Sequence, residues 1–84
     1  MSDLKARFEA AVAHSKNLRE RPDNATLLKI HALYKQATAG DNADRKPGLT
    51  DMVGRAKWDA WEGCKSTSSE DAMQQYVDLI KSLS

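Results

Sequence analysis

The chain has 84 residues, of which 40% are hydrophobic and 30% are charged, and its formal net charge is +1. A chain of this length forms a single domain with one small core, so we expect one domain over residues 1–84 without the large buried cavity that many enzymes use. The near-neutral charge argues against general nucleic-acid binding, which needs many Lys and Arg side chains to neutralise phosphates.

The first two predicted helices are separated by a proline. Helix one covers about residues 3–18, where apolar residues recur at helical spacing. Pro22 cannot continue that helix, and either Asp23 or Asn24 offers an N-cap for helix two. Helix two should end just before Gly40, since glycine readily adopts the left-handed conformation found after helices.

Helix two carries two different stripes of side chains. The first is an ordinary core-facing seam made of Thr26, Ile30, Leu33 and Ala37. The second lies about a quarter turn away and consists of Leu27, His31, Tyr34, Lys35 and Thr38. This mixture suits a ligand with an apolar part, a flat ring and negative charge. The simpler interpretation is that Tyr34 and Lys35 only extend past the core into solvent.

The loop after helix two contains the most concentrated basic pair in the chain. Arg45 and Lys46 precede Pro47 and Gly48, and loops readily carry binding residues. Solvated charge is nevertheless the simpler explanation of this pair, and we adopt it at this point.

Helix three begins around Thr50 or Asp51 and ends around Cys64. Its apolar stripe is interrupted by Lys57 and consists otherwise of Val53, Ala56, Ala60, Trp61 and Cys64. A lysine in such a stripe either extends to solvent or meets an anionic partner in a cleft. Trp58 lies about a quarter turn away, where it would either flank that cleft or belong to the core.

Helix four follows a polar segment and runs to about Leu83. Either Thr67 or Ser68 supplies the capping hydroxyl, because each precedes an acidic residue by three positions. Tyr76 stands at the centre of the predicted buried face, which comprises Ala72, Met73, Tyr76, Val77, Ile80 and Leu83. Such a residue is usually a core tyrosine whose hydroxyl needs one hydrogen-bond partner.

Cysteine use and hydropathy predict a cytoplasmic protein. No apolar run approaches the roughly 18 residues of a membrane-spanning helix, and the N-terminus lacks the apolar core of a signal peptide. Cys64 is the only cysteine, which excludes an intramolecular disulfide and suits a reducing compartment. Neither Cys64 nor the two histidines form a recognised zinc or catalytic pattern, so we expect no metal and no cofactor.

Four segments together resemble the acyl-CoA-binding protein family. They are LLKIHALYKQATAGD, the pair Pro47-Gly48, GRAKWDAW and SSEDAMQQYV. The likeness spans nearly the whole chain, and YKQAT, GD and KWDAW are its most specific parts. It implies an all-α four-helix bundle of the up-down-down-up type. It also implies a monomeric protein, not an enzyme, that binds long-chain fatty acyl-CoA esters and acts as their intracellular carrier and pool former, without stable membrane insertion.

The resemblance also implies ligand-binding residues. Tyr34 corresponds to the tyrosine expected to stack on adenine, and Lys35 follows it directly. Lys57 corresponds to the lysine that contacts the 3′-phosphate region of coenzyme A. Lys16, at the end of helix one, and Tyr76, in the last helix, complete the family's set.

Three further positions are assigned to the same site. Leu27 and Leu28, together with Val53 and the face of helix one, would line the path of the acyl chain, where each buried methylene contributes about 0.8 kcal/mol. His31 stands where the family commonly has a tyrosine, and helical spacing puts its ring on the face of Tyr34 and Lys35. We therefore count His31 among the ligand-binding residues.

Two alternatives come from other functional classes. A helical protein-interaction module would present Trp58 and Trp61 to a partner and would have no affinity for acyl-CoA. An acyl-CoA thioesterase would need a general base beside a nucleophile and an oxyanion-stabilising group, and the sequence shows no such constellation.

Overall fold

A computed structural model of the chain describes residues 3–84, which form four α-helices and no strand. The helices are α1 (Asp3–Ser15), α2 (Asn24–Ala39), α3 (Met52–Glu62) and α4 (Ser69–Ser82). The central helix is α2, which packs against both α3 and α4, while α1 packs against α4. The predicted all-α class with four helices is confirmed.

Short polar side chains start three of the helices. Asp23, Asp51 and Ser68 each accept a hydrogen bond from the backbone N–H three residues later, at 2.8, 2.9 and 3.0 Å respectively. These bonds satisfy N–H groups that have no partner inside the helix. The end of α2 is also as predicted, since Gly40 follows it with a φ of 82°, a value that glycine adopts without a steric cost.

Two helices are shorter than predicted, because the backbone hydrogen bonds that follow them span three residues instead of four. After α1, the N–H groups of Lys16 and Asn17 bind carbonyls only three residues back, at 3.3 and 2.9 Å. Cys64 and Lys65 do the same after α3, at 2.9 and 3.1 Å. Such bonds belong to narrow turns that end an α-helix. Lys16, Asn17 and Cys64, which the sequence analysis assigned to helices, therefore lie in turns, and Leu18 lies in the irregular segment that follows α1.

The core lies between α1, α2 and α4. Phe8 and Tyr76 meet edge to face there, with ring centroids 5.1 Å apart and an interplanar angle of 70°, an arrangement that aromatic pairs favour. The hydroxyl of Tyr76 donates to the Ser15 hydroxyl at 3.2 Å, so this buried phenol has the partner it was predicted to need. The cluster of buried residues comprises Phe8, Ala11, Leu33, Ala37, Ala72, Tyr76 and Ile80.

Val53, which the sequence analysis placed in the apolar stripe of α3 and on the path of the acyl chain, lies outside the core. Val53 is 66% exposed, and Leu49 and Met52 beside it are 82% and 77% exposed. Among the helices α3 packs only against α2, and Met52 and Val53 in its first turn stay exposed. Trp61 is the buried residue of this helix, and its indole N–H donates to the Gly40 carbonyl at 2.9 Å.

Gln36 connects the two loops that lie at the end of α2 and before α4. Its side chain is fully buried, and its Nε2 donates to Asp41 Oδ1 at 2.9 Å and to the Thr67 carbonyl at 2.7 Å. Asp41 Oδ1 also accepts from the N–H of Ser66 at 2.9 Å. The side chain of Gln36 and then the Ser66 N–H lower the pKa of Asp41, because both donate to its carboxylate.

Within residues 3–84, none of the helices combines the length and the apolarity that crossing a bilayer requires.

Candidate functional site

An apolar groove of about 440 Å³ runs between α2 and the start of α3. Residues one helical turn apart on each helix supply its walls, since positions i and i+4 share a face. Its apolar lining consists of Leu27, Leu28, Met52, Val53 and Ala56, and its polar lining of Arg21, Asn24, His31 and Lys57. The apolar side chains of this lining offer the kind of surface on which hydrocarbon packs.

A smaller, basic hollow of about 180 Å³ adjoins the groove. Three basic side chains line it, Lys35, Arg45 and Lys57, against the single carboxylate of Asp44. The remaining lining residues are His31, Pro47, Gly54, Trp58 and Trp61. His31 and Lys57 line both spaces, so the apolar groove and the basic hollow meet at these two side chains.

The cations of the hollow are available to an anionic ligand. Among residues 3–84, the ion pairs join other side chains, and neither Lys35 nor Lys57 pairs with a carboxylate. Lys35 Nζ lies 5.1 Å from the ring centroid of Trp61, a cation–π contact that holds the ammonium beside the hollow. An anion entering here meets charged donors that form no ion pair with a carboxylate of this part of the chain.

His31 is neutral more readily than a free histidine. Partial burial lowers the pKa of its imidazole, and the positive charges of Lys57 and Lys35 lower it further. In the free protein, therefore, the ring acts mainly as a neutral hydrogen-bonding group at neutral pH. An anion between these residues would reverse part of that effect.

Tyr34 lies on the other flank of α2. Its ring is 41% exposed and stacks on Phe8, with centroids 6.1 Å apart and an interplanar angle of 24°. Together with Val12, Thr38 and Met73 it lines a third space, of about 410 Å³, which is separate from the groove and the hollow. Adjacent residues of a helix point about 100° apart. Tyr34 therefore faces this space, whereas Lys35 faces the basic hollow.

The structure brings most of the sequence-predicted residues together. Leu27, Leu28, His31, Lys35 and Lys57 line the groove or the hollow, and Tyr34 borders the neighbouring space. Trp58 flanks the hollow beside Lys57, as one of the two interpretations of the sequence expected.

Two predicted residues stand apart from these spaces. Tyr76 is only 2% exposed and belongs to the core, and Lys16 is exposed in the turn after α1. Neither lines the groove, the hollow or the space beside Tyr34. Their roles as ligand contacts stay predictions that come from the resemblance.

Sequence reasoning missed Met52 and the site position of Arg45. A helical signal for Met52 was present, because it lies one turn before Ala56 on the face that borders the groove. Arg45 had no such signal, since its position depends on how the loop packs against α3.

The described residues offer little to metal or nucleophilic chemistry. Residues 3–84 contain no group of three His, Cys, Asp or Glu side chains arranged to hold a metal ion. Burial raises the pKa of the Cys64 thiol, which disfavours the reactive thiolate.

Comparison with known proteins agrees with this geometry. The family model described as "Acyl CoA binding protein" matches residues 5–80. The chain is 46% identical over 76 residues to "Acyl-CoA-binding protein homolog 1" of Caenorhabditis elegans, covering 90% of this chain and 88% of that protein. The crystal structure of Oryza sativa Acyl-CoA-Binding Protein 2 superposes with a TM-score of 0.91 at 36% identity, covering 95% and 89% of the two chains.

A similar segment also occurs inside a larger enzyme. The chain is 48% identical over 77 residues to "Enoyl-CoA delta isomerase 2" of Homo sapiens. This match covers 92% of the present chain but only 20% of the isomerase, so four fifths of that protein have no counterpart here.

Proposed function

The chain belongs to the acyl-CoA-binding protein family, and from this premise we propose that it binds long-chain fatty acyl-CoA esters and carries them inside the cell. The observation that supports the proposal most directly is the junction of groove and hollow. An apolar groove opens into a cluster of cations, and His31 and Lys57 belong to both. Fatty acyl-CoA has the matching chemistry, an apolar chain joined to a phosphorylated headgroup.

The acyl chain would occupy the groove beside Leu27, Leu28 and Val53. The exposure of Val53 suits this role, because a bound chain would cover it. At about 0.8 kcal/mol per buried methylene, a long chain gains several kcal/mol more than a short one. Binding should therefore strengthen with chain length.

The headgroup would lie across α2, between the basic hollow and Tyr34. Lys35, Lys57 and His31 would take phosphate oxygens, since charge-assisted hydrogen bonds to phosphate are about twice as strong as neutral ones. Tyr34, supported from behind by Phe8, would stack on the adenine. Each half of the ligand thus meets the kind of surface that recognises it.

Tyr76 and Lys16 receive different roles in this proposal. Tyr76 would not touch the ligand itself, because its ring lies beneath those of Phe8 and Tyr34, with centroids 5.1 and 6.5 Å away. It would hold the stacking platform in place. Lys16 is assigned to the nucleotide end of the ligand on the resemblance alone.

The remaining parts of the proposal concern the setting. We assign the protein to the cytoplasm, as a monomer composed of one acyl-CoA-binding domain, with no nucleic-acid partner. We also propose that it binds acyl-CoA without converting it. The raised pKa of Cys64 leaves its thiol a poor nucleophile, which counts against a thioesterase.

Calorimetric titration with palmitoyl-CoA, free coenzyme A and palmitate tests the function. We expect one palmitoyl-CoA per chain, bound far more tightly than either fragment, because neither fragment engages both groove and hollow. Equal affinity for palmitate and palmitoyl-CoA would contradict the proposal. The same titration sample is then incubated for a long time. If free coenzyme A forms from palmitoyl-CoA with the protein, but not from palmitoyl-CoA in buffer without protein, the chain is instead a thioesterase.

The protein-interaction module has weaker support. That alternative requires an exposed surface around both tryptophans, but Trp61 is only 6% exposed and its indole N–H is used inside the fold. The titration also separates this alternative, since an interaction module would give no heat with palmitoyl-CoA.

A further inference from the structure

Arg45 lies in the same hollow as Lys35 and Lys57, although it comes from the loop between α2 and α3. We propose that Arg45 is a third phosphate-binding cation, which contacts a phosphate group of the coenzyme A moiety. This inference rests on the proposed function and adds to it a residue from outside the helices.

The loop that carries Arg45 is fixed against α3 by side chains on both sides of it. The indole N–H of Trp58 donates to the Asp44 carbonyl at 2.8 Å, and Arg55 donates to the Pro47 carbonyl at 3.0 Å. Asn42 Nδ2 donates to the Trp58 carbonyl at 3.4 Å. The backbone on either side of Arg45 is therefore anchored to the helix that supplies Lys57.

The two adjacent basic residues of the loop have different surroundings. Lys46 Nζ lies 3.3 Å from Asp59 Oδ1 and 5.3 Å from the ring centroid of Trp58, so its charge is already engaged. Arg45 forms no ion pair with a carboxylate of residues 3–84 and lines the hollow. Lys46 is therefore more than plain solvated charge, whereas Arg45 is exposed at the edge of the hollow with its charge unpaired among these residues.

The charges around the hollow favour an anion with two or more negative charges. Lys35, Arg45 and Lys57 contribute three positive charges and Asp44 one negative charge, while His31 has a lowered pKa and adds a neutral ring. A guanidinium offers two parallel N–H donors that match two phosphate oxygens, whereas an ammonium acts as a point charge. Arg45 therefore gives the hollow directional recognition that the two lysines do not provide.

The test compares three thioesters that differ in their phosphates. Palmitoyl-CoA carries the 3′-phosphate and the pyrophosphate, palmitoyl-dephospho-CoA carries only the pyrophosphate, and S-palmitoyl-pantetheine carries neither. Dissociation constants are measured for the wild type, Arg45→Gln and the matched control Lys46→Gln, whose charge is engaged elsewhere. Arg45→Lys tests the contribution of the two parallel N–H donors, because it keeps the positive charge and loses the paired donors.

We expect Arg45→Gln to weaken palmitoyl-CoA binding by about three- to tenfold, a range kept low because the side chain is exposed. Binding of S-palmitoyl-pantetheine should change less than twofold, and Lys46→Gln should change less than twofold with every ligand. A loss confined to palmitoyl-CoA assigns Arg45 to the 3′-phosphate. An equal loss with palmitoyl-dephospho-CoA assigns it to the pyrophosphate, and either result supports the inference.

Two results would overturn it. One is an unchanged affinity of Arg45→Gln for palmitoyl-CoA, and the other is an equal loss with S-palmitoyl-pantetheine, which would indicate a general structural effect. Both leave the proposed function intact, since the wild type still binds. A wild type that does not bind palmitoyl-CoA would instead overturn the proposed function and this inference together.

Discussion

Lys57 and Lys35 approach the basic hollow from two different helices. Replacing either with alanine removes one charged donor, and we expect each change to weaken acyl-CoA binding by roughly 1–3 kcal/mol. Titration calorimetry measures this loss, and Lys29→Ala, an exposed lysine of α2 outside the hollow, is the matched control. The far-ultraviolet circular dichroism should stay helical in all three variants, and an unfolded Lys57→Ala would show that the residue is structural.

His31 should make ligand binding depend on pH. Burial, Lys57 and Lys35 lower its pKa in the free protein, whereas a bound phosphate would raise it. A group whose pKa rises on binding takes up a proton, so binding tightens as the pH falls. Relative to His31→Gln, the wild type should therefore bind palmitoyl-CoA more tightly at pH 6 than at pH 8.

The comparison between variants removes the effects of the other charged groups at the hollow. The ligand phosphate also takes up protons near pH 6, and Asp44 and Arg45 face the same hollow, but both effects are common to wild type, His31→Gln and His31→Tyr. An identical pH dependence in all three proteins would exclude the histidine.

The contrast between Lys57 and Arg45 shows which residues of the site a sequence can identify. Lys57 interrupts an apolar stripe with a regular period, so its anomaly is visible without coordinates. Arg45 lies in a loop held by hydrogen bonds from Trp58 and Arg55, side chains that are 13 and 10 positions later in the chain. No local periodicity reports such contacts, and the sequence analysis accordingly left Arg45 in solvent.

At the scale of helices and turns, prediction succeeded where one side chain decides the outcome. A capping oxygen at Asp23, Asp51 or Ser68 fixes the start of a helix locally, and Gly40 fixes an end. The exposure of each residue in the apolar stripe of α3 depends on which helices lie opposite, and among the helices only α2 packs against α3. The sequence pattern alone does not report this.

The junction between Gln36, Asp41 and Ser66 should make part of the stability sensitive to acid. Hydrogen bonds lower the pKa of Asp41 from its ordinary 3.8, so they stabilise the fold above that pH and are lost as the pH falls through the lower folded value. Asp41→Asn should lower the melting temperature at pH 7, and its difference from wild type should shrink below about pH 4. Thermal unfolding followed by circular dichroism measures both quantities.

Two further variants make this test specific. In a Gln36→Leu background the principal donor is gone, so Asp41→Asn should have a smaller effect than in the wild type. Asp78→Asn is the control, since its carboxylate accepts from Gln74 within α4 and joins no loops. A constant difference between wild type and Asp41→Asn from pH 7 to pH 3 would contradict the assignment.

Over the whole molecule, the core and the apolar groove lie on different sides of α2. Ile80 is 2% exposed in the core between α1, α2 and α4, whereas Val53 is 66% exposed at the groove. Ile80→Ala should therefore reduce the free energy of unfolding by about 2–5 kcal/mol and leave the affinity for palmitoyl-CoA nearly unchanged below the melting transition.

Val53→Ala should have the opposite pattern. It removes apolar contact with the acyl chain and should weaken palmitoyl-CoA binding by up to about 1 kcal/mol, with little effect on unfolding. Denaturant unfolding and calorimetric titration of both variants measure the two quantities side by side. Equal losses of stability in Ile80→Ala and Val53→Ala would mean that groove and core are not separate.

The exposed apolar side chains at the start of α3 have a consequence for the temperature dependence of binding. Met52 and Val53 face water in the free protein and line the groove, so a bound acyl chain removes their surface and its own from water. Burial of apolar surface gives a negative heat-capacity change, about 0.45 cal/K/mol for each Å². The binding enthalpy should thus become more favourable on warming. The slope of binding enthalpy against temperature should steepen with each added methylene until the acyl chain is longer than the groove. The chain length at which the slope stops steepening therefore reports the length of the groove.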